Sequence, residues 1–67
     1  DLTIDEKMLI LLYSPGTRMG LYGALQQMKE QLEEDETELL DLTNSVLQKL
    51  SDMDDEVFEK LSLSLDL

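Results

Sequence analysis

The stretch MLILLYSPGTRMGLYGALQQMK, residues 8–29, decides the fold. Two apolar runs flank Ser14-Pro15-Gly16, a sequence that stops a helix because the proline pushes residue 14 out of the α region. Between Lys7 and Lys29 the only charged side chain is Arg18, in a chain with 16 acidic residues. The spacing predicts a helix–turn–helix element. A first helix runs from about residue 4 to 13, and a second from about 18 to 33 with Thr17 as its N-cap. In the second helix Leu21, Leu25, Met28 and Leu32 share one stripe, which is the expected core face. Gly16, Gly20 and Ala24 form a row of small residues at i, i+4 and i+8. A glycine inside a helix costs about 1 kcal/mol against alanine, so Gly20 is expected to serve a close approach of the first helix.

The first helix opens with Thr3 as N-cap and Glu6 three residues on, a capping-box pattern. Asp5 and Glu6 stand in its first turn, where the helix dipole favours anions. Its apolar residues Ile4, Met8, Leu9, Leu11 and Leu12 cover more than one face, so it is expected to be the most buried helix.

Charge divides the chain. Residues 1–29 carry three acids and three bases, and the whole net charge of −11 falls in residues 30–67, where thirteen acids face only Lys49 and Lys60. Glu33-Glu34-Asp35-Glu36 joins the second helix to a third, expected at about 36–50 with Asp35 as N-cap and Glu38 at N3. Leu39, Thr43, Val46 and Leu50 turn inward there, Leu42 and Leu47 flank them, and Asp41, Gln48 and Lys49 point outward. Asp54 then caps a short fourth helix at about 54–61, with Met53 and Phe58 as a hydrophobic staple. Beyond it, Ser62–Leu67 is expected to cross the surface with Leu63 and Leu65 half buried.

Length and composition fit this outline. Sixty-seven residues make one domain at most, and so short a chain buries only about 60% of its unfolded surface. Cysteine and histidine are absent, so neither disulfides nor zinc can staple the fold, and a partner or a second copy would complete its core. The expected fold class is all-α, a small three-helix bundle with a short fourth C-terminal helix, forming one domain over residues 1–67. No signal-peptide pattern is visible, and the longest apolar run, Met8–Tyr13, is far short of the ~20 residues that span a bilayer. A soluble cytoplasmic protein is expected, with a few leading residues removed ahead of Asp1.

The same composition excludes several chemistries. Without His or Cys the usual general base, thiol nucleophile and transition-metal ligands are missing. Asp52, Asp54 and Glu56 match the first positions of a calcium loop, but Val57 and Leu63 occupy those that require glycine and a bidentate glutamate. Gly16–Gly20 sits at a helix N-terminus yet lacks the lysine and length of a P-loop. No enzyme activity, cofactor or metal is expected. Direct binding of nucleic acid is opposed by the charge, and a basic protein surface is the more natural electrostatic partner.

What stands out is the outer face of the second helix, where Met19, Tyr22, Gly23, Gln26 and Gln27 carry no charge. Uncharged, partly apolar surface with Tyr and Arg is typical of protein interfaces. Arg18 and Tyr22, four residues apart, are suited to a cation–π contact. The alternatives are that Met19 and Tyr22 merely edge the core and that Arg18 pairs with the acidic half.

Tyr13-x-x-Gly16-Thr17-Arg18-x-Gly20-Leu21-x-x-Ala24-Leu25, then Asp35-Glu36-Thr37-Glu38-Leu39, Leu42-Thr43-Asn44-Ser45 and Met53-x-Asp55-x-x-Phe58 resemble the transposon-transfer assisting protein family. These are small helical proteins of bacterial conjugative transposons. The likeness spans almost the whole chain, with Glu34 where the family often has proline. It implies an all-helical domain with a role around transfer of the element, and it brings no catalytic residues. The expected function is a non-catalytic accessory that docks on a protein of the transfer or recombination machinery. Tyr13, Gly16, Thr17, Arg18, Met19, Gly20, Tyr22 and Gln26 are the candidate partner-binding residues. The alternative is an acidic DNA mimic that occupies the basic groove of a DNA-handling protein.

Overall fold

The computed structural model describes residues 2–64. Four helices carry the fold, and no strand occurs among the described residues: α1 (Ile4–Tyr13), α2 (Arg18–Glu30), α3 (Thr37–Asp52) and α4 (Asp55–Ser64). The chain is all-α. Helix α3 packs against both α1 and α2, and α2 also touches α1 and α4. Leu9 and Ile10 of α1, Leu21 and Leu25 of α2, Val46, Leu47 and Leu50 of α3, and Phe58 of α4 meet in one buried cluster. Thr43 is buried among them and donates its hydroxyl to the Leu39 carbonyl at 2.8 Å, so its burial leaves no polar group unsatisfied.

Local chemistry sets most helix ends. The Thr3 hydroxyl accepts from the Glu6 N–H at 3.1 Å, and the Thr3 N–H donates to Glu6 Oε1 at 2.8 Å, which completes the capping box. Helix α1 stops where Ser14 turns extended ahead of Pro15. Gly16 then adopts φ +109°, a conformation that side chains bearing a Cβ rarely take. Thr17 caps α2 by accepting the Gly20 N–H at 3.0 Å. Asp54 does the same for α4, accepting from Val57 N–H at 2.8 Å.

Other ends depart from expectation. Helix α2 closes at Glu30, three residues before its expected end at 33, through tight bonds from Gln31 N–H to Met28 O and from Leu32 N–H to Lys29 O. Prolonging α2 would place Glu33 and its acidic neighbours at a helix C-terminus, the end where negative charge is unfavourable. Those acids lie instead in the connection and at the start of α3. There Glu36 occupies the N-cap without a side-chain bond, so the Asp35 cap does not form. Helix α3 runs on to Asp52 and α4 to Ser64, which places Ser62–Ser64 in a helix rather than in a surface tail. Leu63 is 75% exposed, not half buried. Leu65 lies outside the described residues.

The largest correction concerns α1, which is not the most buried helix. Only Glu6, Leu9 and Ile10 are buried, while Ile4, Met8, Leu11 and Leu12 remain between 46% and 76% exposed. At about 100° per residue the two sets fall on roughly opposite sides of the helix. A four-helix chain this small covers one side of α1 and has no further layer for the other. Gly20 corrects a second expectation. A Cβ there would come within 2.6 Å of Thr17 Oγ1 and 2.7 Å of Pro15 Cγ. The close approach is made by the capping residue and the turn.

Candidate functional site

The expected binding residues do not gather in one place. Gly16, Thr17 and Gly20 build the turn and cap, and their chemistry is consumed locally. Arg18 also serves the fold: its Nε donates to Asp55 Oδ1 at 2.8 Å and its Nη1 to the Leu50 carbonyl at 2.9 Å. One guanidinium thus ties the start of α2 to the end of α3 and the start of α4, which is the pairing with the acidic half foreseen as the alternative. Met19 is 62% exposed. Tyr22 is half buried and packs against the core cluster. Tyr13 lies apart, beside Ala24, Gln27, Met28 and Leu39 in another groove.

Tyr22 and Gln26 come together with residues of α3. They line an open groove of about 320 Å³ with Lys29 on their own helix and Asn44, Leu47, Gln48 and Ser51 across from them. Lys29 is its sole charged residue. Amides and hydroxyls both donate and accept, so this floor can meet backbone or side-chain groups of either polarity. The Gln48 amide is oriented by Asp52, to which it donates at 3.2 and 3.3 Å. The α3 half of the groove was not foreseen from sequence, where Gln48 read only as an outward residue. A signal existed in Asn44, Gln48 and Ser51, spaced at i, i+4 and i+7 and uncharged within an acidic segment.

A second arrangement unites the two halves of the chain. The Glu6 carboxylate, 2% exposed, accepts from Lys49 Nζ at 2.7 Å, from Ser45 Oγ at 2.6 Å and from the Thr3 N–H. Burial alone would push its pKa up, but the bonds from Lys49, Ser45 and Thr3 outweigh burial and hold the carboxyl at about 2. Lys49, expected to point outward, is half buried by this contact. The network has no open reacting position, so it clamps α1 to α3.

The acids gather elsewhere. Asp5 of α1 and Asp35, Glu36, Glu38 and Asp41 at the start of α3 surround an open groove of about 820 Å³. Among the described residues, no helix is long and apolar enough to cross a membrane.

Against known families, the model described as "Putative transposon-transfer assisting protein" matches residues 2–64, nearly the entire chain. The chain belongs to this family. Membership agrees with the resemblance carried by Tyr13–Leu25 and the segments after it, and the family's name assigns its members to transposon transfer. No curated protein and no solved structure gives a significant match to this chain.

Proposed function

We propose that this protein is a non-catalytic accessory of a conjugative transposon that docks on a protein of the transfer or recombination machinery. The α2–α3 groove, which holds no acid and a single base, Lys29, carries the reading. In a chain of net charge −11, a solvated helix pair would be expected to show Glu and Lys along such a seam. Beside Lys29, the groove presents Tyr22, Gln26, Asn44, Gln48 and Ser51, a tyrosine among adaptable polar groups and no carboxylate. Tyrosine is enriched among the residues that dominate binding energy. Arg18, one turn before Tyr22 on the same side of α2, fixes α2 against α3 and α4.

The acidic groove around Asp5, Asp35, Glu36, Glu38 and Asp41 favours a second reading, in which the carboxylates imitate DNA phosphates before a basic protein. Pull-down from cells carrying the parent element separates the two. Wild type is run beside a Tyr22→Ala/Gln26→Ala variant and a variant with Glu38 and Asp41 neutralised. Docking through the groove predicts an element-encoded partner lost only with the Tyr22/Gln26 variant and retained at about 0.5 M salt. Loss only with the neutralised variant, and steeply with salt, would replace docking by mimicry.

A further inference from the structure

We propose that the outward face of α1 is a homodimer interface, at which two copies of this chain pair in parallel through Ile4, Met8, Leu11 and Leu12. These side chains are 75%, 56%, 46% and 76% exposed and form one stripe on the side of α1 turned away from the core. Single exposed aliphatics are ordinary on a protein surface, but four on one face of a ten-residue helix make a contiguous patch of the kind that marks association.

Charge selects the occupant. Two copies at −11 repel one another over most of their surface, whereas the α1 stripe has an acid, Asp5, on one flank and a base, Lys7, on the other, so a second copy can set an opposite charge against each. Charge also selects the orientation. Asp5 and Lys7 bracket the stripe, each roughly 75–90° from its centre at about 100° per residue. With the two helices parallel about a two-fold axis, the Asp5 flank of each copy faces the Lys7 flank of the other, on both sides. An antiparallel pair would oppose Lys7 to Lys7 and Asp5 to Asp5. Both Asp5 and Lys7 are exposed, and neither belongs to an ion pair among the described residues. The contact is isologous, as closed two-fold dimers require, and it covers apolar surface that so small a chain cannot bury by itself. It uses a different face from the α2–α3 groove, so either proposal can fail without the other.

Sedimentation equilibrium of the full chain between about 10 µM and 1 mM tests it. The expected mass rises from 7.7 kDa towards twice that value. Association should strengthen between about 0.05 and 0.5 M NaCl as repulsion between the acidic bodies is screened. Met8→Lys, at an exposed position, should weaken association at least about tenfold with unchanged circular dichroism. Lys7→Glu should weaken it, and Lys7→Glu combined with Asp5→Lys should restore it. A wild-type chain that stays monomeric throughout overturns the proposal. So does association undiminished in Met8→Lys/Leu12→Lys, and failure of the charge swap to restore overturns the parallel pairing.

Discussion

Glu6 Oε1 and Lys49 Nζ, 43 residues apart in sequence, lie 2.7 Å apart across the α1–α3 contact. The same oxygen accepts the Thr3 N–H, so the residue that caps α1 also fixes it to α3. A local signal and a tertiary bond converge on one carboxylate.

That convergence makes stability depend on pH. The Glu6 pKa falls from 4.5 to about 2 in the folded chain. A depressed carboxylate contributes stability that is fully present above its unfolded pKa and lost as pH falls through the folded one. The window therefore runs from pH 4.5 down to about 2. Its size is on the order of 3–4 kcal/mol, since each pKa unit is worth about 1.4. Urea melts from pH 7 to 2 should show the decline, and Glu6→Gln should be less stable at pH 7 and largely lack this part of it. Parallel profiles for wild type and variant would refute it.

Two glycines of α2 should respond to alanine with opposite signs. At Gly20 the new Cβ meets Thr17 Oγ1 and the Pro15 ring, both under 3.0 Å, so the cap has to shift. Loss of a threonine cap costs about 1 kcal/mol and the ring contact adds to it, which outweighs the gain in helix propensity of about 1 kcal/mol. Gly20→Ala should destabilise. Gly23 is exposed with nothing within 4 Å, so Gly23→Ala should stabilise by about 0.5–1 kcal/mol. Chemical denaturation of both variants checks the signs.

Arg18 distinguishes a buried from an exposed partner. Its bond to the Leu50 carbonyl is partly buried, while the Asp55 side chain it also meets is 81% exposed. Arg18→Ala should cost about 1–2 kcal/mol, because the α3 carbonyl loses a charged donor. Asp55→Asn should be indistinguishable from wild type, as exposed ion pairs contribute little. Equal losses in the two denaturation curves would contradict this division.

Helix α4 is held by one side chain more than by its others. Phe58 is 3% exposed within the shared core, whereas Leu63 is 75% exposed. Phe58→Ala should cost about 3–5 kcal/mol, a large share of the stability available to a small domain. Leu63→Ala should leave the thermal midpoint unchanged. A small effect at Phe58 would mean that α4 is not part of the cooperative unit.

The helices and most of their starts were legible because they are set by contacts within four residues. Thr3 with Glu6, Thr17 with Gly20 and Asp54 with Val57 bond as their spacing dictates. Ser14-Pro15-Gly16 breaks the chain where backbone sterics require it. Half of the candidate groove was legible too, as Tyr22 and Gln26 on an unusually neutral helix face. Its other half, Asn44, Gln48 and Ser51, belongs to a helix whose neighbour only packing selects. Packing likewise decided which face of α1 is covered, since Leu9 with Ile10 and Met8 with Leu12 are equally apolar in sequence. Lys49 read as a solvated residue of α3, and only the approach of α1 turned it onto Glu6. Caps and breaks are properties of a few consecutive residues, whereas burial is a property of what stands opposite, and that was settled when the four helices met.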